Sequence, residues 1–175
     1  TQERARPVSV SFMVPRDYTP FVGRNEEVAE FCEVIVRAPE TVYCLVGMGG
    51  VGKTALAKRV AYRLQDHFSD GVLWANVANS EPLAILDSWA EAYDHNFRSL
   101  PDLESRAAAV RDLLAEKKVL VILDDVQSVE KARPLLPGGP QCTVLVTTRS
   151  RDVAVALSGY EYPLGPLTAE DSCQL

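Results

Sequence analysis

Short unbroken apolar runs alternate along this chain with longer stretches whose apolar residues recur every three or four positions. Runs at Thr41 to Val46, Gly71 to Val77, Val119 to Asp125 and Cys142 to Arg149, with a shorter one at Tyr160 to Leu164, predict five strands. Near-continuous apolar character marks strands of a parallel sheet covered on both faces. The periodic stretches predict helices. One runs from Asn25, a good N-cap, to about Val36, with Val28, Phe31, Cys32 and Ile35 on one face; others cover Thr54 to about Gln65, Pro82 to about Tyr93, Pro101 to about Glu116, and the neighbourhood of Ser128 to Arg133. Residues 1–20 mix charges with Pro7, Pro15 and Pro20 without a sustained period, and read as an extended arm or linker. At the other end Thr168 is placed to cap a helix that starts as the sequence stops, so residues 168–175 read as the start of a truncated helical subdomain and the chain as a piece of a longer protein.

One junction between strand and helix carries distinctive chemistry. Gly47-Met48-Gly49-Gly50-Val51-Gly52-Lys53-Thr54 follows the first strong strand and opens a helix, the setting in which Gly-x-x-x-x-Gly-Lys-Ser/Thr binds phosphate. Glycines let successive backbone N–H groups turn inward as an anion nest, and the nest opens onto a helix N-terminus carrying about half a positive charge. Gly47, Gly49, Gly50 and Gly52 would form this cradle, Lys53 would reach the terminal phosphates, and the Thr54 hydroxyl would ligate the Mg²⁺ that accompanies a nucleotide.

Two other strands end in polar groups at the edge where open α/β sheets bind ligands. Asp124 is the expected Mg²⁺ anchor, with Asp125 free to orient or polarise water; the alternative is that the acid pair caps the following helix. Arg149 ends the next strand and can face a terminal phosphate, whereas Arg151 reads as a solvated helix-start residue.

Composition narrows the remaining choices. With 175 residues, 47% of them hydrophobic, the chain can bury the core of one α/β domain. A net charge of -6 argues against a general nucleic-acid or anionic-membrane surface, and no apolar run approaches the roughly 20 residues that span a bilayer, so a cytoplasmic protein is expected. Cys32, Cys44, Cys142 and Cys173 lack metal-ligand spacing and read as buried small hydrophobes. His67 and His95 read as solvated or capping residues, and Trp74 and Trp89 as packing residues.

FVGRNEEV, GMGGVGKTALA, HFSDGVLWANV, VLVILDDV, TVLVTTRSRDVA and YPLGPLTAEDSCQL occur in this order, from about Pro20 onward. The chain thereby resembles the NB-ARC domains of the STAND class of signalling NTPases. The resemblance implies a P-loop three-layer α/β/α sandwich over residues 21–167, with a five-stranded parallel sheet in the order 2-3-1-4-5 and the acid strand beside the P-loop strand. It implies a nucleotide site of Val22, Arg24, Gly47, Met48, Gly49, Gly50, Val51, Gly52, Lys53, Thr54 and Ala55. Thr54 and Asp124 would hold the metal, and Asp125 and Arg149 would be catalytic. The function implied is an ATP/ADP-binding molecular switch with weak Mg²⁺-dependent ATPase activity, in a larger protein whose copies assemble on activation, without direct membrane or nucleic-acid binding by this segment. Rival readings are a small-molecule kinase and a nucleotide-independent interaction module; a GTPase is disfavoured because no guanine-reading motif is present.

Overall fold

The computed structural model describes residues 11–16, 23–37 and 42–166. Val22, Cys173, the C-terminal helix expected from Thr168 and most of the N-terminal arm lie outside the described residues. The elements in chain order are β1 (Ser11–Phe12), α1 (Asn25–Arg37), β2 (Val42–Val46), α2 (Lys53–Leu64), β3 (Gly71–Asn76), α3 (Pro82–Glu91), α4 (Leu103–Leu114), β4 (Val119–Asp124), α5 (Val129–Ala132), a 3₁₀ turn (Arg133–Leu135), β5 (Thr143–Thr148), α6 (Arg151–Ala156) and β6 (Tyr160–Pro163).

Alternation along the strands builds two cores. Val119, Val121 and Leu123 of β4 face the side covered by α3, α4 and α6, where Trp89 is fully buried, while Leu120 and Ile122 face α1 and α2. Val28, Phe31, Cys32 and Ile35 are the buried residues of α1, as its periodicity predicts. The helix starts slightly early, with the Val28 N–H bonded to the Arg24 carbonyl, so Arg24 is the flanking residue and Asn25 already lies inside. Asp102 caps α4 through a 2.7 Å bond from the Ser105 N–H, and Ser128 caps α5.

The sheet corrects two expectations. It has six parallel strands among the described residues, in the order β1-β3-β4-β5-β2-β6. In the numbering of the five expected strands this is 2-3-4-1-5 and not 2-3-1-4-5: the acid strand β4 is separated from the loop-bearing β2 by β5. Apolar patterning reports which faces are buried, not which strand lies alongside, so either order leaves the same signature. Both β4 and β5 carry buried apolar residues on both faces and belong in the centre; β6, shorter and partly exposed, takes an edge. The sixth strand, β1, is a two-residue pairing with β3, too short to show a period. Its approach depends on Gly71, where a Cβ would stand 2.6 Å from the Ser11 carbonyl oxygen.

Candidate functional site

The order of the central strands decides what meets the glycine-rich loop. At the carboxyl edge, Asn76 ends β3, Asp124 ends β4, and Thr147 and Thr148 end β5 beside the loop that follows β2. A cavity of about 520 Å³ opens there, lined by the loop, the start of α2 and these strand ends.

Gly50 and Gly52 have φ of 80° and 93°, in the left-handed region that glycine enters without strain, and a Cβ on either would meet nothing within 4 Å. The concave side of the loop is therefore open. Gly52 flanks α2 with no side-chain cap, so the first-turn N–H groups of Lys53, Thr54 and Ala55 are available to an anion. The Lys53 ammonium folds back and donates to the Gly47 and Met48 carbonyls, each at 2.8 Å. Partial burial and then the neighbouring Arg149 hold its pKa below the ordinary value, while Asp125 and Asp124 pull the other way.

Asp124 is a buried carboxylate with two hydroxyl donors. Thr54 Oγ1 and Thr147 Oγ1 each donate to its Oδ1 at 2.7 Å. Two short bonds to one oxygen fix the carboxylate and leave Oδ2 without a hydrogen-bond partner among the described residues. Asp125 turns the chain with φ of 53°, a left-handed conformation that Asp tolerates better than most residues. Bonds to β5 hold the turn: the Asp125 N–H donates to Thr147 Oγ1 at 2.8 Å, the Val126 N–H to the Thr147 carbonyl at 2.9 Å, and Thr148 Oγ1 to the Val126 carbonyl at 2.7 Å. Because Ser128 caps α5, neither aspartate is spent on that helix, and both line the cavity.

The structure gathers Gly49, Gly50, Gly52, Lys53, Thr54, Ala55, Asp124, Asp125 and Arg149 around the cavity. The Arg149 guanidinium rests against Gly49, where a Cβ would stand 2.9 Å from its Cζ. Gly47, Met48, Val51 and Arg24 do not line it: Met48 is exposed, and Arg24 is buried with bonds to Glu27 and to the Gly165 carbonyl. Three lining residues escaped the reading of the sequence: Lys58, Asn76 and Thr147. Their signals were present, since Lys58 stands one helical turn after Thr54, while Asn76 and Thr147 are polar residues at the ends of apolar strands.

The donor set fits a hard, phosphate-associated cation better than a metal held by protein alone. Hydroxyl and carboxylate oxygens meet at 2.7 Å beside an open anion nest, and no group of three or more His, Cys, Asp or Glu able to hold a metal occurs among the described residues. The described residues also contain no helix long and apolar enough to cross a membrane.

Comparison with known proteins agrees with this geometry. The regulatory protein AfsR of Streptomyces griseus is 34% identical over 171 residues, covering 93% of this chain and 18% of that protein; AfsR of Streptomyces coelicolor is 36% identical over 170 residues, covering 89% and 17%. The putative disease resistance protein RGA4 of Solanum bulbocastanum is 28% identical over 87% of this chain and 17% of its own length. The chain thus spans less than a fifth of each of these relatives. Among solved structures, Cdc6p of Pyrobaculum aerophilum superposes with a TM-score of 0.65 at 16% identity, over 91% of this chain and 48% of the other. The Walker-type ATPase PABY2304 of Pyrococcus abyssi superposes with a TM-score of 0.59 at 12% identity, over 88% and 56%. At those identities the likeness concerns the fold, which is that of P-loop ATPases. The family model described as the NB-ARC domain matches residues 24–175, and the chain belongs to that family.

Proposed function

We propose that this chain is the nucleotide-binding part of a cytoplasmic signalling switch that takes ATP and ADP and hydrolyses ATP slowly. The observation that carries this reading is the pair of hydroxyls, Thr54 and Thr147, bonded to one oxygen of Asp124 beside an open nest of backbone donors. The loop from Gly49 to Ala55 receives the phosphates through backbone N–H groups, and Lys53 exchanges its two carbonyl acceptors for phosphate oxygens. Thr54 and Asp124 would hold Mg²⁺, which would supply neutralisation of phosphate charge there. Asp125, kept at the cavity by its bond to Thr147, orients water and accepts its proton. Arg149 lies beside the loop as a cation for the terminal phosphate.

Membership of the family, and relatives named as regulatory and disease resistance proteins, support a signalling role; assembly between copies of a longer protein is part of the same proposal. The test is calorimetric titration with Mg·ADP and Mg·ATP. Wild type should bind both, and Lys53→Ala should lose detectable binding while keeping its unfolding transition. Unchanged affinity in a folded Lys53→Ala protein would remove the basis for the site.

A further inference from the structure

Two cavity-lining residues have no part in the mechanism above, Lys58 and Asn76. Lys58 follows Thr54 by one turn of α2, so the two share a helix face, and α2 packs across β5 and β4. Lys58 makes no hydrogen bond or ion pair with any described residue, although it lines the same cavity as Asp124 and Asp125. Asn76 ends β3 in register with Asp124. Its side-chain oxygen accepts from the Asn79 N–H at 3.1 Å. A backbone N–H can only donate, so this bond fixes the orientation of the amide and leaves its NH₂, a pure donor, without a partner among the described residues. Asn76 therefore presents donors to the acid pair from the end of β3, and Lys58 adds a full positive charge to the cavity wall from α2.

Charge balance points the same way. The cavity wall holds three cations, Lys53, Lys58 and Arg149, against two carboxylates. The first two phosphates of a nucleotide occupy the loop and the start of α2, and a third extends toward the acids. In strand order, Arg149 lies on one side of those acids and Asn76 on the other. We propose that Asn76, from the end of β3 opposite Arg149, and Lys58, from α2, bind the terminal phosphate of a nucleoside triphosphate, and so set the preference for triphosphate over diphosphate. The proposal rests on the nucleotide-binding reading and adds to it two residues that distinguish the two nucleotides.

The experiment is titration of wild type, Lys58→Met, Lys58→Arg and Asn76→Asp with Mg·ADP and with the Mg²⁺ complex of the non-hydrolysable β,γ-imido analogue of ATP. Lys58→Met keeps the aliphatic stem on α2 and loses only the charge; Asn76→Asp keeps the acceptor for Asn79 and loses the donors. A charge-assisted bond at a partly exposed position is worth about tenfold in affinity. Lys58→Met should therefore weaken the triphosphate analogue about tenfold and leave ADP within about twofold, Lys58→Arg should recover most of the loss, and Asn76→Asp should weaken the analogue at least as much as Lys58→Met. The proposal is overturned if Lys58→Met binds the analogue as wild type does, or loses ADP and the analogue equally. If wild type itself binds neither ligand, the nucleotide reading falls and takes this one with it, an outcome separate from selective failure of the variants.

Discussion

Replacing Thr147 with valine removes one oxygen atom from the centre of the site and keeps the branched shape of the side chain. Thr147 is 1% exposed, donates to Asp124 Oδ1 at 2.7 Å and accepts from the Asp125 N–H at 2.8 Å. Loss of a hydrogen bond to a charged group costs about 1.5–3 kcal/mol, and leaving the Asp125 N–H unpaired costs about 1–3 kcal/mol more. Exchanging a hydroxyl for a methyl returns about 0.8 kcal/mol of apolar burial. The net destabilisation is about 2–5 kcal/mol, which for a domain of this size lowers Tm by at least about 4 °C. Thr147→Ser is the control, because it keeps both hydrogen bonds and gives up one methyl, about 1 kcal/mol. Thermal and urea unfolding followed by circular dichroism measure both variants. Equal melting of Thr147→Val and wild type, or of Thr147→Val and Thr147→Ser, would show that the hydroxyl does not hold the acid pair.

Arg149→Ala should weaken ATP by about tenfold and ADP much less, because the guanidinium rests against the loop at Gly49 and, on the proposed reading, pairs with the phosphate that only ATP carries; titration with each nucleotide checks the ratio. Asp125→Asn should slow hydrolysis while retaining Mg·ATP binding, whereas Asp124→Ala should remove the Mg²⁺-dependent part of the affinity, and equal behaviour of the two would contradict the separate roles assigned to them. Burial pushes the Cys44 thiol up to about 12 and the Cys32 thiol to about 11. Their pKa values are raised in the folded state above an ordinary 9.0, so the related stability is complete below about pH 9 and is lost as pH rises toward 11–12, where only the unfolded chain ionises readily. Urea midpoints should fall over that window, and a Cys32→Ala, Cys44→Ala protein should show a shallower fall.

How far the sequence could be read followed from how local each requirement is. The loop was legible because each position answers a demand of its own: glycines at the left-handed turns of Gly50 and Gly52, a long cation at Lys53 and a hydroxyl at Thr54. The buried runs of β4 and β5 were equally plain, as was the apolar stripe of α1. Strand order was not legible, because Val144 to Thr148 would be as buried beside β6 as they are between β4 and β2. The misplaced strand had a cost at the site. With β5 put outside β2, Thr147 has no reason to meet Asp124, and the bond that joins the acid pair to the cavity goes unread. Asn76 and Lys58 were missed for a related reason: each is ordinary at its own position and gains meaning only from what the sheet brings beside it.

The first glycine of the loop has a different purpose from the others. Gly47 does not line the cavity; a Cβ there would stand 2.6 Å from the Leu164 carbonyl oxygen. The Leu164 N–H in turn donates to the Val46 carbonyl at 2.8 Å, and the next carbonyl, that of Gly165, accepts from the Arg24 guanidinium at 2.7 Å. Arg24 is 3% exposed and also pairs with Glu27 at 2.7 Å, so the charge that grips Gly165 is itself neutralised. Breaking that grip would leave a buried guanidinium short of one acceptor, which is costly in a desolvated setting. The backbone leaving β6 is thus bonded to the residue before the loop, packed against the loop's first residue and held at the start of α1. Gly47 is small because a backbone passes against it, whereas Gly50 and Gly52 are small because their own backbone turns left-handed. A shift at the start of the loop must therefore displace Leu164 or lose its contact, and the segment after β6 is tied to the glycine-rich loop and to the start of α1 while the Arg24 bond holds.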